Sequence, residues 1–288
     1  MRRITRRVFI GGSLGAATGM VLRGASPGRD PGKPGRRGPS FELGLASYTF
    51  REFDLDATLA MAARLGLGRI SLKDMHLPLD SSEELIRRTV AKVRASGLVP
   101  YGCGVVYMTN EAEVDRAFAY AKSGDMAIII GVPDHGLLGR AEQRVRETGI
   151  RLAIHNHGPE DLRYPTPRSI LDRIVKLDPR IGVCLDVGHC QRSGIDPSRA
   201  AVECGPRLVD VHLKDVSAST KEGVTVEVGR GVIDIPRFLR TLLSRGYRGT
   251  AAFEHEKDGR DPLAGLAESV GYVRGVLAEL VRGRDAKP

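Results

Sequence analysis

Four stretches of the 288-residue chain contain side chains able to hold a metal ion or move a proton: "IHNH" at 154–157, "CLDVGH" at 184–189, "DVHLKD" at 210–215 and "FEHE" at 253–256. In an extended strand alternate side chains share a face, so His155 and His157 lie on one side and Asn156 on the other. Imidazole nitrogens and carboxylate oxygens both ligate divalent cations. One donor from each stretch, His155, Asp186, His212 and Glu254, makes a mixed nitrogen and oxygen set. Any one of these residues is explained equally well by a hydrogen bond in a core. Burying several ionisable groups together without a compensating ion is costly, however, so the set reads as a site for one divalent metal. Manganese, zinc, cobalt and magnesium all accept such donors, magnesium least readily because of the two imidazoles.

A cation that chelates a carbonyl and the neighbouring hydroxyl acidifies the C–H between them, so the site suits reactions that begin with an enediolate. Lys214 and Glu254 are the expected catalytic groups. Lys214 lies two residues beyond His212 on the same face. A nearby cation would disfavour its ammonium form and make it a base near neutral pH. A salt bridge to Asp215 or Glu256 is its structural alternative. His157, Glu256 and Lys73, the last in "SLKDMHLPL", are candidates for substrate contact, with His76 and Tyr48 as further candidates for the cavity wall.

These residues need a scaffold that brings distant strand ends together. From Phe41 onward eight apolar runs ("ELGLASY", "GRISLK", "LVPYGCGVV", "MAIIIGV", "IRLAIHNH", "IGVCLDVG", "LVDVHLK" and "TAAFEHE") alternate with amphipathic stretches such as "DLDATLAMAARLG" and "SSEELIRRTVAKVRASG". Several of the latter begin at Asp or Ser and end at Gly, as capped helices do. No GxGxxG follows the first strand. Eight strand-then-helix units predict a single (β/α)8 TIM barrel over residues 41–288, whose strand carboxyl ends converge on one face. The long polar stretch "DVSASTKEGVTVEVGRGVIDI" after the seventh strand exceeds a simple connection and predicts a hairpin at the barrel mouth.

The pieces "IHNHGPED", "CLDVGH", "DVHLKD", "GRGVIDI" and "FEHE" give the chain a resemblance, over roughly Phe41 to Leu280, to the xylose isomerase-like TIM-barrel superfamily. That superfamily contains sugar and sugar-phosphate isomerases and epimerases and endonuclease IV. The resemblance implies a divalent metal held by Asp186, His212 and Glu254, and a substrate-contacting role for His189. At position 155 the chain departs from the group: many isomerases and epimerases have a glutamate there, serving as ligand and as one of two acid/base groups, where this chain has His155.

The formal charge of +9 is concentrated at the start, where residues 1–40 hold nine basic residues against one acid, Asp30. The remainder is near neutral, which argues against a nucleic-acid partner, and neither a histidine in the third strand nor a DxH pair after "VHLKD" supports a nuclease's extra metals. Residues 1–25 combine Arg6 and Arg7 in "TRRVFIGG" with a short Gly/Ala-rich apolar run, predicting a twin-arginine signal peptide, export to the periplasm and no stable membrane anchor. Residues 26–40 read as a Pro/Gly/Arg-rich linker. The four cysteines show no CxxC spacing and read as buried small residues. Export favours an unphosphorylated sugar or keto-sugar. The expected function is therefore a metal-dependent sugar isomerase or epimerase. A 3-keto-glycoside lyase or hydratase on the same site is the alternative, and a non-catalytic carbohydrate-binding protein the second.

Overall fold

The computed structural model describes residues 39–285; the expected signal peptide and most of the linker lie outside the described residues. Eight parallel strands close into a barrel in the order β1, β10, β7, β6, β5, β4, β3, β2. They are β1 (Glu42–Ala46), β2 (Arg69–Leu72), β3 (Val99–Met108), β4 (Ile128–Pro133), β5 (Arg151–His155), β6 (Ile181–Asp186), β7 (Leu208–Leu213) and β10 (Thr250–Phe253). The remaining two, β8 (Asp215–Val216) and β9 (Thr225–Val226), pair antiparallel and form the hairpin expected after the seventh strand.

Local chemistry sets the helix starts. Asp54 caps α1 (Leu55–Arg64) by accepting from the Ala57 amide, and Ser82 caps α2 (Glu83–Ala95) by accepting from the Leu85 amide. Each satisfies an amide that has no partner within the helix. Six further helices run from α3 (Glu111–Ser123) through α4 (Leu138–Thr148), α5 (Pro167–Ile174), α6 (Val187–Arg192), α7 (Pro197–Cys204) and α8 (Ile235–Ser244). The last, α9 (Leu263–Asp285), completes the set. Their apolar faces pack on the outer faces of strands whose residues are almost all buried. Among the described residues no helix is long and apolar enough to cross a membrane. All four cysteines are free and buried, and burial pushes the Cys103 thiol up to about 12, consistent with small core residues.

Register does the positioning. Asp186 pairs with His212, His155 with Cys184, and His212 with Ala252, two residues before Glu254. Gly182 permits the closeness of β6 and β7, because a Cβ there would stand 2.2 Å from the Arg207 carbonyl oxygen.

Candidate metal centre

Each strand end delivers its side chain by a local device. Asp186 ends β6 and caps α6: its Oδ1 accepts from the His189 amide at 2.8 Å, which leaves Oδ2 for the barrel mouth. Asn156, on the opposite face of its strand from His155, holds the Asp186 backbone at both groups, donating to its carbonyl and accepting from its amide, each at 3.1 Å. His155 Nε2 then lies 3.5 Å from Asp186 Oδ2, and His212 Nδ1 lies 3.1 Å from Glu254 Oε2. One donor atom from each of His155, Asp186, His212 and Glu254 falls within 4.8 Å of the others, and all four residues are buried.

The donors fit a divalent cation. Both ring nitrogens of His155 are buried without a hydrogen-bond partner, a costly state for polar atoms unless another ligand satisfies them. Lys214 Nζ lies 3.0 Å from Asp186 Oδ2, 3.1 Å from Glu254 Oε2 and 2.8 Å from Glu256 Oε1. Three carboxylates thus face one lysine, and with the imidazoles of His155 and His212 they make a donor set suited to a dication.

The expectation that Lys214 is a base rests on a cation beside it; the carboxylates around it act the other way. Burial pulls its pKa down, but Asp186, Glu254 and Glu256 outweigh it and hold the amine protonated well above its ordinary value. Among these carboxylates Lys214 is an ammonium. Burial likewise opposes ionisation of Asp186 and Glu254. The charges of Lys214 and His189 hold Asp186 well below the usual carboxylate range, and those of His212 and Lys214 do the same for Glu254. Both carboxylates are therefore held ionised.

The histidines divide by partner. Burial, reinforced by neighbouring imidazoles, lowers His155 and His157 to about 4, and burial also brings His189 to about 4. His212 resists burial because Glu254 faces it and is raised to about 9. Between about pH 6.5 and 4 the unfolded chain binds protons that folded His155, His157 and His189 refuse, so stability falls as pH drops through that window. The His212 contribution has the opposite sign: it is fully present below about 6.5 and lost as pH rises through 9. Chelator-treated protein is expected to melt highest near pH 6.5 and on the order of 10 °C lower at pH 4.5. A melting temperature flat over that range contradicts the neutral burial of these imidazoles.

Around the cluster, His157 packs 4.4 Å from His155 and 5.6 Å from His189, ring centre to ring centre. It also stacks on Tyr107, a half-exposed residue at the end of β3 that the sequence reading missed because "VVYMTN" offers no pattern to mark it. Glu256 joins through Lys214. Lys73 does not join: its Nζ donates to the Val105 carbonyl at 2.5 Å. His76 is a tie between loops, bonded to Ser47 and Thr58. Asp215 is no partner of Lys214. Its carboxylate accepts from the amides of Val216, Gly229, Gly231 and Ile233, and a Cβ on Gly231 would stand 2.2 Å from it, which explains the "GRGVI" run physically.

Residues 137–276 match the xylose isomerase-like TIM barrel family. That match covers just under half of the chain, and it falls within the barrel. The rhizopine catabolism protein MocC of Rhizobium meliloti is 30% identical over 158 residues, 45% of this chain and 48% of that protein. Inosose dehydratase of Lacticaseibacillus casei is 27% identical over 138 residues, 42% and 45% of the two chains. The match thus spans about half the length of these curated relatives. The structure of an L-ribulose 3-epimerase superposes with a TM-score of 0.70 at 16% identity, covering 86% of this chain and all of that one, a likeness of fold.

Proposed function

We propose that this protein is a divalent-metal-dependent enzyme that removes the proton beside the carbonyl of an unphosphorylated keto-sugar or cyclic keto-polyol and expels a neighbouring hydroxyl as water. The observation that carries this reading is the Lys214 ammonium in contact with Glu256 at 2.8 Å on the edge of the ligand cluster, an acid and a base side by side. A divalent ion held by His155, Asp186, His212 and Glu254 supplies Lewis acidity toward the substrate carbonyl.

The chain's own groups do the rest. Glu256, the least buried of the three carboxylates around Lys214, takes the proton from carbon. Lys214 gives a proton to the departing hydroxyl, which leaves as water. The proton on Glu256 then passes to Lys214 across their contact, and both groups return to their starting states. Because acid and base adjoin, both leaving groups depart from one face. Neutral His157 and His189 orient hydroxyls from the opposite side of the cluster. His155 in place of a second carboxylate favours elimination over a two-base epimerisation, and similarity to an inosose dehydratase supports the same choice.

Metal-loaded protein incubated in D2O with a panel of aldoses, ketoses and cyclic keto-polyols tests this by NMR. We expect metal-dependent loss of water with solvent deuterium at the α-carbon. Exchange with a rearranged product and no water loss would make the protein an isomerase or epimerase. Carbohydrate binding without exchange in any substrate would make it a binding protein.

A further inference from the structure

Beneath the four candidate ligands lies a second inward-facing layer, made by the residues two positions earlier on the same strands: Ala153, Cys184, Asp210 and Ala252, all with no exposed surface. Two alanines leave room there, and a carboxylate fills it. Asp210 Oδ2 accepts from the Tyr101 hydroxyl at 3.3 Å and from the Cys184 thiol at 3.7 Å, and lies 3.8 Å from His212 Nε2. Its other oxygen, Oδ1, has no hydrogen-bond partner, and neither has His212 Nε2. Among the described residues no lysine or arginine pairs with Asp210. A buried carboxylate without such a cation needs another reason to be there.

The orientation of His212 supplies it. Its Nδ1 faces Glu254 and the ligand cluster, whereas its Nε2 faces down the barrel toward Asp210. A neutral imidazole carries one proton, and ligation through Nδ1 requires that proton on Nε2. In a layer otherwise walled by two alanines and a thiol, Asp210 is the acceptor available to it. We propose that Asp210 is a positioning residue that takes the Nε2–H of His212, fixing the ring and the tautomer whose Nδ1 lone pair points at the metal, while Tyr101 and Cys184 hold the carboxylate in place. The 3.8 Å separation is longer than a hydrogen bond, but Nε2 and Oδ1 are both free, so a turn of the carboxylate satisfies the two together. Carboxylates in this relation to a ligating histidine orient it and raise its basicity.

The inference rests on the metal reading above, and the experiment separates the two. Metal-free wild-type protein, Asp210→Asn and Asp210→Ala are titrated calorimetrically with Zn2+ and with Mn2+, their metal-free melting temperatures are measured, and the zinc-loaded forms are examined by 15N NMR of the histidine rings. Asparagine keeps the shape but can donate its amide N–H to Nε2, which favours the wrong tautomer; alanine removes the acceptor. We expect affinity to fall on the order of 10- to 100-fold in both variants. The metal-free asparagine variant should melt no lower than wild type, and the wild-type zinc form should show His212 protonated at Nε2. If both Asp210 variants bind as tightly as wild type, or if His212 carries its proton on Nδ1, the positioning role is overturned. If wild type itself binds neither ion, the metal reading fails and takes this inference with it.

Discussion

Asp186→Ala combined with His212→Ala is expected to abolish stoichiometric binding of a divalent ion, read by elemental analysis of dialysed protein. It removes one oxygen and one nitrogen donor from a cluster whose donor atoms all lie within 4.8 Å of one another. Binding that exists only in the folded state stabilises it, by about 4 kcal/mol at an ion concentration 1,000-fold above Kd. For a domain of this size that is on the order of 10 °C in melting temperature. The wild type should gain this on adding the ion and the double variant should gain nothing. Asp186→Asn provides the control for folding, because asparagine also caps helices and so preserves the start of α6. A stoichiometric ion that survives the double replacement would place the site elsewhere.

Lys214→Met should have the second large effect, and it separates acid from base. In the proposed elimination the ammonium is the proton donor to the departing hydroxyl, so water loss should fall by 100-fold or more, the usual scale for a general acid. Exchange of the α-proton, which depends on Glu256, should fall less. Metal should be retained, since methionine fills the same space and removes a cation from the neighbourhood. Without the ion, three carboxylates are left around an apolar side chain, and breaking a buried ion pair costs on the order of 3 kcal/mol. The metal-free variant should therefore melt well below metal-free wild type and recover when the ion is added. Water loss at the wild-type rate would show that Lys214 only balances charge, and a loss of α-exchange as deep as the loss of water would return it to the role of base.

Much of the candidate site was legible before any coordinates, because its parts are short-range patterns. An apolar run of strand length that ends in His, Asp or Glu, as four do here, states both where the strand stops and which face its last side chains take, and the eight apolar runs alternating with capped helices state the barrel. Asp186 with His189 three residues later could be read in the same way, although its full meaning, a carboxylate that caps α6 with one oxygen and offers the other to the site, needed the helix to be seen. For Lys73 the sequence cannot separate the two roles, because a lysine after a strand looks the same whether it reaches a cavity or, as here, the carbonyl of Val105. Tyr107 and the bracing role of Asn156 are not legible in the sequence, since aromatic stacking and backbone bracing leave no periodic trace.

By itself the sequence determined the number and order of strands, the ends at which chemistry is placed, and a donor set suited to a divalent cation, since periodicity and residue type act within a few positions of the chain. Only the tertiary structure decided which donors meet and in what charge state. Register sets His212 beside Asp186, and it puts Asp210 in the layer beneath them. Lys214 is an ammonium because carboxylates from β6 and the end of β10 close around it. Electrostatic energy depends on separation and burial in space, to which residues forty positions apart contribute as strongly as neighbours.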